Sequence, residues 1–256
     1  MDIEEQSCSR SIRSQDDRLP LAVKSKRLRR MRRTERRWPL QAQRYIRKIR
    51  GLLQEFEESQ NTTVLAVGRL IAERVREGGC IHLFDSGHLL GSEFVYRAGG
   101  IAIISKVELD DIRVPSRVRR GDVVIIASVS GRREKVIDAA SISRERGATV
   151  VALTSLAQSE AAVPKHESGK LLKDMADYII DIGGEVGDAA LEFDGLNMKA
   201  CPTSGVMQVV CMWAISAEVI SNLLDMGLTP TVFVSANAPG GEKCSDQMSR
   251  FICRGI

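Results

Sequence analysis

The stretch from Asp122 to Lys135, DVVIIASVSGRREK, narrows most sharply what this chain can fold into. Val123 to Ala127 are five apolar residues in a row, mostly β-branched. A run of that kind reads as a strand buried on both faces, the habit of a parallel sheet covered by helices on either side. It passes through Ser128-Val129-Ser130-Gly131 into Glu134 to Ala140, which has helical character. A strand, a tight Ser/Gly turn and a helix start make a place to hold an anion. Backbone N–H groups without intrahelical partners and the positive end of the helix dipole face the ligand, and two hydroxyls add donors.

The same alternation recurs along the chain. Ile81–Phe84, Ile101–Ile104, Val123–Ala127, Thr149–Leu153 and Tyr178–Ile180 read as five strands. Helical segments separate them: Glu93–Ala98, closed by Gly99-Gly100, and Lys135–Arg146, closed by Gly147. This predicts an α/β fold with a mainly parallel sheet, whose strand C-termini share the ligand-binding edge. Upstream, Tyr45, Ile49, Leu52, Leu53 and Phe56, then Val64, Val67, Leu70, Ile71 and Val75, recur at three- and four-residue steps. They predict two amphipathic helices with a break near Asn61-Thr62, covering the sheet or a partner subunit. A last helix is predicted from about Thr203 to Met226, with Pro202-Thr203-Ser204 as its cap and Gly227 just beyond its end. Its uncharged stretch Ala200–Ala217 approaches the length of a membrane span, but its polar residues and Glu218 favour a buried core or interface helix.

Charge divides the chain in two. Residues 1–50 hold sixteen Lys/Arg against six Asp/Glu, net +10, whereas the other 206 residues are net −6. The domains expected are therefore a basic, disordered tail over 1–40 and a folded domain with a helical cover over 41–256. Lys24–Arg37, KSKRLRRMRRTERR, suits a solvated tail or a start codon chosen too early. It also suits non-specific contact with nucleic acid or an anionic membrane. No apolar segment follows it, so it is not a secretory signal. The six cysteines contain no CxxC pair, which points to reduced thiols in the cytoplasm rather than a disulfide frame or zinc site.

Ser/Gly chemistry repeats at three strand ends: Asp85-Ser86-Gly87-His88, Ser128-Val129-Ser130-Gly131 and Thr154-Ser155. Three such turns on one edge would converge on one pocket, and Thr203-Ser204 could add a further hydroxyl pair. Neither GxxxxGK[ST] nor GxGxxG occurs. SVSG after an aliphatic strand resembles the signature of the sugar-isomerase (SIS) domain. DSGHLLGSEFVYRAGG, GDVVIIASVSGRREKVIDAA, VVALTSLAQS, HESGKLLKDMADYIIDIGG, PTSG and VFVSAN are similar, in order, to segments of a bacterial SIS-domain family, from Tyr45 to the C-terminus.

The resemblance implies a flavodoxin-like three-layer α/β/α sandwich with a five-stranded sheet, phosphosugar binding, and a homodimer or higher homo-oligomer. Ser128, Ser130 and Gly131 would cradle the phosphate, with Ser86, Gly87, Thr154, Ser155, Thr203 and Ser204 as further phosphosugar-binding residues. Isomerisation or elimination next to a carbonyl needs a base that moves a carbon-bound proton. Glu93, placed as in SIS-type lactyl-ether lyases, and His88 are the catalytic candidates. His166 lies on a polar loop that reads as a lid or as plain surface, and Asp188, Glu192 and Asp194 read as a solvated acidic face or as Mg²⁺ ligands. Leu89 and Arg133 depart from the family pattern, and the link Ser105–Arg120 is shorter than the family's. The expected function is an isomerase or lyase/etherase on an amino- or deoxy-sugar phosphate, without cofactor or metal. The alternative is a non-catalytic phosphosugar sensor, as SIS domains are in transcription regulators. No membrane partner is expected.

Overall fold

The computed structural model describes residues 40–86, 90–235, 237–239 and 241. The basic stretch Lys24–Arg37 lies outside the described residues, as do Gly87, His88 and Leu89. Five strands form one sheet: β1 (Ile81–Asp85), β2 (Ile104–Lys106), β3 (Val123–Ala127), β4 (Thr149–Thr154) and β5 (Tyr178–Asp181). Their order is β2-β1-β3-β4-β5 and every pair is parallel. The α/β reading of the alternating pattern is thus correct, down to the bounds of β3.

The central strand is fully buried, and its alternate side chains feed two cores. Val123, Ile125 and Ala127 join one apolar cluster with Val67, Ile71, Met212, Ile215 and Val219. Val124 and Ile126 join the other with Val136, Ile137, Ala140 and Leu172. The first core lies under helices α1 (Leu40–Arg76) and α6 (Ser204–Asp225), the second under α4 (Glu134–Glu145). Three short helices, α2 (Leu90–Phe94), α3 (Leu109–Arg113) and α5 (Leu156–Glu160), complete the crossovers. The sandwich has three layers because period-2 burial on both faces of β3 requires cover on both sides.

By length and composition alone, α6 is long and apolar enough to cross a membrane. Its buried residues Met207, Cys211, Met212, Ile215, Val219 and Leu223 instead belong to the sheet's own core. Gly68 lets α1 approach α6 closely, since a Cβ there would stand 2.4 Å from the Cβ of Glu218. Past its C-terminus, Gly227 (φ 76°) takes the left-handed turn while its N–H donates to Leu224 and that of Leu228 to Leu223.

Three expectations need correction. The two predicted cover helices are one, Leu40–Arg76, without a break at Asn61-Thr62. Asn61, Thr62 and Thr63 cost at most about 0.7 kcal/mol each in helix propensity. The apolar stripe stays in phase across them, and fully burying a side chain such as Val64, Val67 or Ile71 returns roughly 1.5–3 kcal/mol each. The second strand is shifted: Ile104–Lys106 pairs with β1, whereas Ile101 bridges antiparallel to Val232. The helix expected over Glu93–Ala98 is Leu90–Phe94 instead, and the chain leaves it through Tyr96 at φ 61°. The short β2–β3 link holds only α3, whose end is tied down from α4. The Arg146 guanidinium donates to the carbonyls of Ile112, Arg113 and Val114.

Ile71→Ala is expected to lower unfolding stability by about 2–5 kcal/mol, the range for emptying a packed aliphatic site. Leu65→Ala, on the exposed side of the same helix, should stay within about 0.5 kcal/mol. Urea denaturation followed by circular dichroism measures both.

Candidate functional site

β1 and β3 lie side by side, and the chain leaves them in opposite directions, to β2 on one flank and β4 on the other. In such sheets the crevice that takes ligands opens beyond the C-terminal ends of these two strands. Ser86 follows β1 there and Ser128 follows β3. The Ser86 N–H donates to the Ala127 carbonyl (3.1 Å) and the Ser128 N–H to that of Leu153 (3.0 Å), which aligns the three strand ends.

The Ser128–Gly131 turn is clamped from both sides. The Val129 carbonyl accepts from the Thr154 hydroxyl (2.9 Å) and from the Ser155 N–H (2.9 Å). Gly131 sits at φ 62°, its carbonyl accepts the Leu172 N–H at 2.9 Å, and a Cβ on it would fall 2.7 Å from the Leu172 Cβ. While the carbonyls are engaged, the donors are open. Among the described residues, the N–H groups of Val129, Ser130, Gly131, Arg132 and Arg133 donate to no protein acceptor. Successive open N–H groups of this kind, at the start of the twelve-residue α4, suit an anion. Arg133 adds a charge: its guanidinium donates to the Ser86 carbonyl at 2.8 Å and so bridges the first and third loops. Sequence reading met Arg133 only as a departure from a pattern, because its link to Ser86 is a tertiary contact.

The other hydroxyls do structural work. Thr154 and Ser155 are fully buried, the first bonded to Val129 and the second capping α5 by accepting the Gln158 N–H at 3.4 Å. Thr203 and Ser204 do not form the self-contained cap expected of Pro202-Thr203-Ser204. The Thr203 side chain makes no capping bond. The Asp188 carboxylate takes that place, accepting from the N–H groups of Thr203 (3.2 Å) and Ser204 (3.0 Å) and from the Ser204 hydroxyl (2.5 Å). One helix N-terminus therefore already holds an internal anion. The Tyr45 hydroxyl supports the same corner by donating to the Pro202 carbonyl at 2.8 Å, and its pKa is raised by burial and by neighbouring Cys201 and Asp188. Asp188 is thus neither a solvated acid nor part of a metal set with the exposed Glu192 and Asp194.

Of the catalytic candidates, Glu93 lies on α2, its carboxylate accepting from Arg97 at 3.0 Å. Upstream, the Gly91 N–H donates to Asp85 at 3.1 Å, anchoring this helix to the end of β1. His88 and Gly87 lie outside the described residues. His166 is tied at both ring nitrogens. Nδ1 accepts from the Ser168 N–H (3.1 Å), and Nε2 faces Asp138 of α4 at 3.3 Å. Gln208, a polar interruption in the apolar face of α6, is fully buried, with neither amide atom hydrogen-bonded among the described residues.

Gly131→Ala tests the turn. A left-handed backbone and a blocked Cβ position should together cost about 1–3 kcal/mol in a denaturant titration. Gly205→Ala, where a Cβ meets nothing within 4 Å, should cost no stability.

A family model described as SIS domain matches residues 44–117 and 109–155. The UPF0309 protein lin2794 of Listeria innocua is 34% identical over 223 residues, covering 78% of this chain and 90% of that protein. A UPF0309 protein of Streptomyces avermitilis is 31% identical over 235 residues, covering 82% and 94%. The solved phosphoheptose isomerase GmhA from Neisseria gonorrhoeae shares the fold, with TM-score 0.50, 16% identity, and coverage of 71% of this chain and 96% of that one. With relatives of this identity matched over nearly their whole length, the chain belongs to the UPF0309 family and carries a SIS domain.

Proposed function

We propose that this protein binds a sugar phosphate at the β1/β3 crevice and acts on it as an isomerase or a lyase/etherase, the sugar being of the amino or deoxy class. One observation carries the reading: five consecutive N–H groups, Val129 to Arg133, stand without an acceptor among the described residues, at a helix start beside the Ser128 and Ser130 hydroxyls and the Arg133 guanidinium. A phosphate dianion offers acceptors to donors of this kind, and fixed dipoles cost no reorganisation when it arrives. In this reading Ser86, Ser128, Ser130 and Gly131 hold the phosphate. Thr154 and Ser155 hold the turn, and Thr203 and Ser204 act through Asp188 rather than directly. Glu93 and His88 would move the proton.

A specific observation favours the second reading, a phosphosugar sensor without catalysis. The Glu93 carboxylate is already engaged by Arg97, and the short β2–β3 link holds only the five residues of α3. The phosphate grip is then complete while the base has a competing partner.

Thermal shift against hexose 6-phosphates and N-acetylhexosamine 6-phosphates tests the pocket. A ligand at 100 times its Kd should add roughly 2.7 kcal/mol, and the Ser128→Ala/Ser130→Ala variant should lose that gain. An equal response from both proteins, or none from either, would sink the assignment. Glu93→Gln is expected to keep binding and lose turnover if the protein is an enzyme. Tight binding by the parent chain with no product from any sugar would favour the sensor.

A further inference from the structure

The opposite edge of the sheet carries a second group of reactive side chains. Cys80 immediately precedes β1, His82 is its second residue, and Asp122 immediately precedes β3. The parallel register pairs Ile81 with Val123, so Cys80 and Asp122 come side by side at the N-terminal edge. One ligand-type atom from each, the Cys80 sulfur, a His82 ring nitrogen and an Asp122 carboxylate oxygen, lie within 4.8 Å of one another. His82 is 6% exposed and Asp122 1%, so neither is a solvated surface group.

We propose that Cys80, His82 and Asp122 bind a divalent cation of the zinc type, with its fourth coordination position open to a neighbouring cavity. The distance between His82 and Asp122 is the first support. Nε2 stands 3.4 Å from Oδ2. A direct N–H···O bond prefers about 2.7–3.2 Å, whereas two ligands at about 2.0–2.1 Å on one tetrahedral ion lie about 3.4 Å apart.

The ring orientation is the second support. Nδ1 lies 2.9 Å from the Ser105 hydroxyl, which in turn lies 3.4 Å from the Ile81 carbonyl. The Ser105 hydroxyl holds the ring through Nδ1 and leaves Nε2 facing Asp122. A cation held between Nε2 and Oδ2 would bind both atoms, with the ring proton on Nδ1. A metal-bound histidine commonly has its other ring nitrogen held in this way.

Asp122 is held as a ligating carboxylate is, with Oδ1 accepting from the Cys80 N–H and Oδ2 from the Arg119 N–H, both at 2.8 Å. A thiolate and an imidazole select zinc-type ions over Mg²⁺ or Ca²⁺, and thiolate and carboxylate together cancel the charge of the ion. Cys80 is half-buried, and its sulfur lies 4.0 Å from the Arg119 guanidinium, a contact that would yield as the side chain turns to the metal. The cavity beside the group has a volume of about 360 Å³ and is lined by Ser105, Lys106, Arg117 and Arg119 as well as Cys80 and His82. Lys106, Arg117 and Arg119 outnumber the one lining carboxylate, Asp111, a balance that suits a water, hydroxide or small anion as the fourth ligand.

Cobalt titration of the chelator-stripped full chain tests this site. Co²⁺ should bind one per chain, with the intense visible bands of a tetrahedral ion and a near-ultraviolet sulfur-to-cobalt band, and Zn²⁺ should displace it. Cys80→Ser should lose the sulfur band and bind at least about 100-fold more weakly, since even outer-shell changes cost 10–100-fold. Ser105→Ala should keep both bands and weaken binding about 10–100-fold. Cys201→Ser should change nothing. A parent chain without tetrahedral bands, or a sulfur band that survives Cys80→Ser, overturns the proposal. Should Cys80→Ser not fold, a Ser105→Ala variant that binds Co²⁺ as tightly as the parent overturns it as well.

Discussion

The parallel pairing of β1 with β3, register Ile81–Val123 through Asp85–Ala127, is the interaction on which the rest depends. It is held by complete burial, since every side chain of β3 lies in one of two apolar cores. Parallel pairing brings both strand C-termini to one edge and both N-termini to the other. The chain diverges from this pair to β2 and to β4, so the crevice at the C-terminal edge follows from topology before any polar residue is considered. The Ser86 and Ser128 turns meet because the strands beneath them are in register.

Two helix starts illustrate how one piece of physics yields different outcomes. α4 and α6 each present N–H groups that their own helices cannot satisfy. At α6 the carboxylate of Asp188 answers them, held at φ 52° by a segment in which Gly183, Gly184 and Gly187 also take positive φ. At α4 no side chain caps the helix, and the donors from Val129 to Arg133 stay open. Open donors at a solvent-facing helix start are met by water, which an anionic ligand can displace. The contrast between the two helix starts is the physical ground for reading one as a ligand site and the other as architecture.

The two edges of the sheet differ in chemistry as well. The C-terminal edge is hydroxyl- and glycine-rich and shaped by backbone donors, with Asp85, Asp181 and Arg133 among its charged groups. At the N-terminal edge Asp122 is buried beside His82. Burial alone would raise the Asp122 pKa, but the neighbouring His82 and the hydrogen bonds from the N–H groups of Cys80 and Arg119 outweigh it and hold the carboxyl below its ordinary value. An ionised carboxylate this deep is costly unless fully answered, so the surrounding donors are part of the fold's stability and not an ornament of the surface.

The sequence by itself determined most of the elements and their burial, though not the continuity of α1 or the places of β2 and α2. The β-branched run of β3, the strand alternation and the apolar stripe of α1 each report a local period, and local periods decide secondary structure. It also marked SVSG, because a Ser/Gly turn between an aliphatic strand and a helix has few other uses. Tertiary structure decided the division of labour among the polar residues. Thr154, Ser155 and Ser204 looked equivalent to Ser128 and Ser130 as hydroxyls at element ends, yet their partners are Val129, Gln158 and Asp188, which no local pattern reveals. Arg133 gained a role from the Ser86 carbonyl, and Cys80 met Asp122 across forty-two positions through strand register alone. Periodicity is written residue by residue, whereas a site is written in the distances between segments, and those exist only once the sheet has closed.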